Sequence, residues 1–273
     1  LGASDEQLVY GPYGVSVNVP RVAAPSQAAA VFLSVGRFVD KKAPQNTLRA
    51  FEAVHRHAPD TRLIMVGDGP LLAQCKRWAK QEGIEDAKRD MDLLAQLGAK
   101  RIAAPPAGAR GIVEPMAAAE RYRTLLNAGD HIGVVPQIEM WGGNKSIGRV
   151  STAIYIAIEA GHPNACFLGD VYHTYKGGSD FDALKMLGPQ ALQVFHWNDY
   201  PANPSRENIG DGDRVYPGDG VAPITDIVKG FLQVGATPVL SLELFNKKYW
   251  AMPPLEAARI GIEKMKASVA PAL

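Results

Sequence analysis

The sequence predicts an α/β fold, a parallel sheet wound toward a (β/α)8-like barrel. Three observations carry that expectation. Eight short apolar runs recur along the 273 residues, and from the second onward they mostly start about thirty residues apart. Most are joined by stretches of helical periodicity. The later runs each carry an acidic residue or a histidine near their C-terminal ends. Near-continuous apolar strands alternating with helices mark a parallel sheet covered by helices, and eight of them suit a closed barrel.

Taken in order, "LVYGPYGV" (8–15) is the weakest strand, because "SVNVPRVAAPSQAAA" after it is too Pro-interrupted for a crossover helix. "AVFLSVGRF" (30–38) is followed by the helix pattern "TLRAFEAVHRHA" and then by "RLIMVGDG" (62–69). Two helix patterns separate that strand from "KRIAAPP" (100–106). "LLAQCKRWAKQEG" stops at Gly83, a natural residue to follow a helix end, and "DAKRDMDLLAQLG" stops at Gly98. A crossover needs one helix, so one of the two is surplus and should either pack outside the ring or extend the connection. "AAAERYRTLLNAGDHIG" leads to "VVPQIEMWG" (134–142), and "VSTAIYIAIEAG" to "ACFLGDVYH" (165–173). "ALQVFHWND" (191–199), the helix "ITDIVKGFLQVG" and "TPVLSLELF" (237–245) complete the series.

The formal net charge of +1 gives no electrostatic case for nucleic acid or an anionic membrane as partner. Two cysteines, Cys75 and Cys166, make neither a disulfide scaffold nor a thiolate metal site and read as small buried hydrophobes. No stretch approaches the roughly 18 apolar residues of a membrane span. The opening "LGASDEQ" has no Met and no signal-peptide core, so an excised piece and a cytoplasmic location are expected.

The polar strand ends are Glu139 in "PQIEMWG", Asp170 in "CFLGDVYH", His196 in "VFHWND" and Glu243 in "LSLELF". In a parallel barrel these ends converge on one face. Charges on strands this apolar are costly to bury unless paired or bound to metal. Three carboxylates and one imidazole form a hard ligand set suited to Mn²⁺, Mg²⁺ or Co²⁺, with Zn²⁺ possible. A lone acid at a strand end is usually a helix cap or a loop ion pair, but four on successive strands favour a site. His173, three residues past Asp170, is a further ligand or a substrate contact. Trp141, Tyr172 and Trp197 either wall the pocket or simply pack. His55, His57 and His131 fall on or beside helix patterns and read as solvated, and His162 reads as a turn residue. "RVYPGDG" (214–220) is a Pro-Gly turn that places Arg214 as an anion or hydroxyl clamp.

Residues from about 86 to 270 resemble the sugar phosphate isomerase/epimerase superfamily, whose barrels are like xylose isomerase. The stretches that carry this are "AKRDMDLLAQLGAKRIAAPPAG", "VVPQIEMWG", "GDVYHTYKGGSDFDAL", "VFHWNDYPANPSRENIGDGDRVYPGDG" and "LSLELFNKKYW". The resemblance implies one divalent metal on Glu139, Asp170, His196 and Glu243. It implies that Glu139 and Glu243 move a proton as catalytic base and acid, through an enediolate. His173, Arg214 and Trp141 are then substrate contacts, and the substrate is a small sugar or keto-sugar.

Residues 1 to about 85 resemble a different family, the C-terminal Rossmann-like domain of retaining glycosyltransferases. Here the matching stretches are "LGASDEQLVYGPYGV", "VFLSVGRFVDKKAPQNTLRAFEAV" and "RLIMVGDGPLLAQCKRWAKQEGI". That resemblance implies nucleotide diphosphate contacts at Arg37 and Lys42, but the family's later acidic motif has no counterpart, so sugar transfer is not expected. The backbone turns "VGRF" and "VGDGP" otherwise read as strand-end geometry. Together the two resemblances imply a chimera, engineered or recombined, joined near Ile84–Lys88. In that reading 1–85 and 86–273, the latter carrying strands four to eight, form one merged domain. The opening strands present Arg37 and Asp68 to the pocket, and turnover is weak or absent because catalysis is sensitive to displacements of about 1 Å. The alternatives are an active metal-dependent isomerase or epimerase, and residual nucleotide-sugar binding. For the fold, the alternative is a Rossmann-like lobe beside an incomplete barrel whose strand edges a homodimer partner covers.

Overall fold

The computed structural model describes residues 31–57, 61–107 and 112–273. The expected strand at 8–15 lies outside them. Contacts divide the chain into two compact units, Leu1–Ala79 and Lys80–Leu273.

In the first unit, β1 (Val31–Val35) and β2 (Arg62–Val66) pair in parallel, with Val31 opposite Arg62 and Val35 opposite Val66. The helix α1 (Pro44–His57) joins them. Proline suits its first position, where no backbone N–H is needed and φ is already helical. Phe51 of α1 meets Phe32 of β1 edge-on at 5.8 Å. The glycines of "VGDGP" serve the backbone: a Cβ on Gly67 would lie 1.9 Å from the Gly36 carbonyl oxygen, at a φ of +151°.

The connection after β2 is a single helix, α2 (Leu72–Gln96), 25 residues long. It runs straight through Gly83, so the expected pair of helices is corrected to one long connecting helix. An interior Gly costs about 1 kcal/mol, and the good helix formers on either side of Gly83 outweigh that once propagation is under way. Helical i,i+3 ion pairs, Glu85 with Lys88 at 2.8 Å and Asp86 with Arg89, span the supposed join. The true stop is at Gly98, with φ +82°, where the N–H groups of Gly98 and Ala99 return to the carbonyls of Ala95 and Leu94.

The second unit holds five parallel strands in sequence order: β3 (Arg101–Ala104), β4 (Val135–Glu139), β5 (Phe167–Asp170), β6 (Leu192–His196) and β7 (Val239–Ser241). Among the described residues β7 pairs with β6 alone. Between the strands run α3 (Pro115–Ile132), α4 (Val150–Glu159), α5 (Val171–Lys176) and α6 (Ile224–Gln233). α7 (Lys247–Trp250) and α8 (Pro254–Val269) follow β7. One face of the sheet is apolar. Ile138, Phe167, Phe195 and Leu240 pack there against Tyr122, Leu126, Ile156, Ile227 and Phe231 of the helices. Alternation along each strand then turns Glu139, Asp170 and His196 to the other face. Register aligns them: Asp170 lies beside His196, and His196 beside Ser241, two residues before Glu243. The C-terminal half of α2 buries Met91 against Ala128 and Val134, with Ile102 of β3 packed on that cluster.

Candidate metal centre

His196 is the hub. Its Nδ1 lies 3.7 Å from Glu139 Oε1, 3.6 Å from Asp170 Oδ2 and 3.3 Å from Glu243 Oε2. Yet this nitrogen is buried and makes no hydrogen bond. Ligand atoms of Glu139, His196 and Glu243 all lie within 4.8 Å of one another. An orphaned imidazole nitrogen facing three carboxylate oxygens is what a hard divalent cation completes. The residues present therefore fit the metal that the sequence implies.

The electrostatics agree with a site short of positive charge. Burial disfavours the charged form of His196, but Asp170 and Glu243 more than offset it and raise its pKa to about 10. For Glu139, burial raises the pKa and dominates over the relief from His196, leaving it above the ordinary carboxylate range. Burial would also raise Asp170, but the Arg214 cation, His196 and His173 hold it well below. Glu243 likewise resists burial through its contact with His196 and is lowered.

Asp170 owes its position to local chain chemistry. It ends β5 and caps α5, its Oδ1 accepting from the His173 N–H at 2.7 Å. This is why the strand stops at Asp170 instead of running on to His173. Its Oδ2, on the side of His196, accepts from Asn198 Nδ2 at 2.9 Å and from Arg214 Nη1 at 3.1 Å.

Arg214, expected as a clamp, is 1% exposed. Its Nη1 also donates to Glu243 Oε2 at 2.7 Å, and its Nη2 to Asp211 Oδ1 at 2.5 Å. The guanidinium sits 4.5 Å from the Tyr172 ring centroid and 5.1 Å from that of Phe245. Only its Nε is without a partner. Nη2 also lies 2.8 Å from His173 Nε2, while His173 Nδ1 faces the Gly142 N–H at 3.2 Å. A neutral imidazole carries one proton and accepts through one nitrogen only. Both of its nitrogens face donors here, so the pocket is one acceptor short.

The loop bearing Arg214 is fixed from β6. Asp199 and Val215 exchange backbone hydrogen bonds at 3.0 Å. The Asp199 carboxylate accepts from the backbone N–H groups of Tyr200, Gly218, Gly220 and Ala222.

The remaining candidates separate cleanly. Trp141 is half-buried and its hydrogen bond favours the ionised form of Glu139. Tyr172 lies under Arg214, whereas Trp197 is a packing residue, held between Phe195 and Phe231 with its N–H on Ser268 at 2.9 Å. His162 is in the turn after α4, paired with Asp130 at 3.1 Å. His55 and His131 are exposed and bonded to backbone carbonyls of Thr61 and Asn127, and the His57 side chain lies outside the described residues. Cys75 and Cys166 are free and buried. Arg37 and Lys42 are exposed on the segment after β1, and Asp68 accepts from its neighbour Gly69 N–H at 2.8 Å. Asn198 and Asp211 escaped the sequence reading. The signal for Asn198 was available: in "HWND" alternation puts it on the face of His196 and Trp197 on the opposite one. Among the described residues no helix is long and apolar enough to cross a membrane.

Comparison with known proteins bears on most of the chain. A model of the xylose isomerase-like TIM barrel family matches residues 41–268. An inosose isomerase of Bacillus velezensis is 26% identical over 197 residues, covering 69% of this chain and 69% of that protein. One of Bacillus licheniformis is 26% identical over 191 residues, 67% of each chain. Among solved structures, the IolI protein with a bound zinc atom superposes with a TM-score of 0.67 at 18% identity, covering 88% of this chain and 89% of that one. An L-ribulose 3-epimerase gives 0.57 at 13% identity, over 90% and 96%. At these identities the structures speak for the fold alone. The family match begins at residue 41, far upstream of Ile84–Lys88, and α2 crosses that point unbroken. Neither finding supports a glycosyltransferase segment, a chimeric join or an engineered origin, and those expectations are withdrawn. With its model spanning both sides of the supposed join, the xylose isomerase-like TIM barrel family is the one to which this chain belongs.

Proposed function

We propose that the chain is a divalent-metal-dependent isomerase or epimerase of a small sugar or keto-sugar. The single observation that carries this is the unpartnered His196 Nδ1 surrounded by Glu139, Asp170 and Glu243 at 3.3 to 3.7 Å. Relatives named inosose isomerases support the reaction class. Mn²⁺, Mg²⁺, Co²⁺ and Zn²⁺ all suit the donor set. When bound, such an ion polarises a carbonyl and its neighbouring hydroxyl and acidifies the C–H between them. Glu139 and Glu243, reaching in from β4 and from beyond β7, take that proton and return it. The acceptor missing between His173 and Arg214 is supplied by a substrate oxygen, which both groups orient. Trp141 borders the pocket beside Glu139.

The test is solvent-deuterium exchange and product formation with ketohexoses and keto-inositols in the presence of Mn²⁺, followed by NMR. Glu139→Gln should lower turnover by about 10²–10⁴-fold, the usual contribution of a positioned proton-transfer group. Metal-dependent turnover that survives the substitution undamaged would remove Glu139 from this role.

A further inference from the structure

We propose that Asn198 is a positioning residue for the metal ligands, tying the ends of three adjacent strands into one ligand frame. The inference rests on the metal reading above and deepens it. Asn198 is 0% exposed and stands two residues beyond His196, on the same face. Its Nδ2 donates to Asp170 Oδ2 at 2.9 Å and reaches the Glu243 backbone carbonyl at 3.4 Å. Its Oδ1 accepts from the Tyr172 N–H at 2.9 Å, at the start of α5. One amide therefore links the β5 ligand, the β6 ligand's own strand and the backbone of the β7 ligand.

The chemistry at Asp170 makes that link matter. Oδ1 is taken by the α5 cap, so the carboxylate presents Oδ2 toward His196. Without the Asn198 donor, Oδ2 keeps only the longer bond from Arg214 Nη1 at 3.1 Å, and the carboxylate can tilt about its Cβ–Cγ bond while Oδ1 stays on the His173 N–H. Partners that orient ligating carboxylates commonly contribute 10–100-fold to metal affinity. A residue that only fills space contributes packing and no preference for ligand orientation.

The experiment compares the metal-free protein and its Asn198→Leu and Asn198→Asp variants by Mn²⁺ titration calorimetry and by the visible absorption of the Co²⁺ form. Tyr122→Phe is the stability control, because the Tyr122 hydroxyl bonds backbone of Pro136 and Cys166 and touches no carboxylate. Asn198→Leu should weaken Mn²⁺ binding about 10–100-fold, while Tyr122→Phe binds as the parent does, whatever its melting temperature. Asn198→Asp keeps the acceptor for Tyr172, removes the donor to Asp170 and should alter the Co²⁺ spectrum even if Asn198→Leu fails to fold. Parent-like affinity in a folded Asn198→Leu, or a parent-like Co²⁺ spectrum in Asn198→Asp, overturns the inference and leaves the metal reading standing. A parent protein that binds neither ion overturns both.

Discussion

Two cationic side chains, His196 and the buried Arg214, govern how the metal-free site behaves. His196 is raised from 6.5 to about 10 because its imidazolium answers the surrounding carboxylates. A group whose pKa is raised by folding stabilises fully below its unfolded value, and that contribution is lost as pH climbs through the folded one. In chelator, the urea midpoint should therefore fall between about pH 6.5 and about 10, and this fall should be missing from His196→Gln. Arg214 is the other. Removing it as Arg214→Met leaves the fully buried Asp170 and the partly buried Glu243 without their guanidinium. Unpairing a buried charge costs about 3–5 kcal/mol, so thermal melts in chelator should show a large loss, and added Mn²⁺ should narrow it. The four ligand candidates could be read from the sequence because each sits at the end of an apolar strand. The role of Arg214 as an enclosed, multiply paired cation could not, since Asp170, His173 and Glu243 meet it only through the fold.

At the scale of elements, the strands were legible and one helix end was not. Apolar runs located β2 to β7, but each run is longer than its strand: the run at 237–245 holds only Val239–Ser241, and the run at 165–173 ends as strand at Asp170. Gly83 misled because glycine signals a stop only where the chain turns left-handed, as at Gly98 with φ +82°. The sign of one substitution distinguishes the two settings. In an unbroken α2, Gly83→Ala should raise stability by about 0.5–1 kcal/mol, whereas a helix terminating there would be destabilised. Urea unfolding of the single variant decides it. α5 was hidden in the sequence for a related reason. Its start depends on the Asp170 carboxylate turning back to the His173 N–H, a bond that local pattern does not reveal.

For the whole molecule, the proposed metal site predicts a link between ion binding and folding. An ion that binds the native state alone stabilises by RT ln(1 + [M]/Kd), about 2.7 kcal/mol at a hundredfold excess over Kd. Melting temperature should rise with Mn²⁺ concentration, fall with chelator, and respond less in acid, where protons compete for Glu139 and His196. A melting temperature indifferent to every divalent ion would refute the site. The barrel class was readable from alternation alone. The assignment of 1–85 to another family was not sustained, since short βα units of unrelated folds share the same strand, turn and helix grammar. The loop that delivers Arg214 is held through its main chain. Between β6 and α6, Lys176 donates to the carbonyls of Arg206, Glu207 and Ile209, while Asp199 gathers N–H groups from 200 to 222. Both anchors grip main chain, so side chains at 201–208 can drift without loosening the loop that delivers Arg214. A laboratory library at 201–208 should therefore leave the fold intact, read as melting temperatures near the parent's across most of its members.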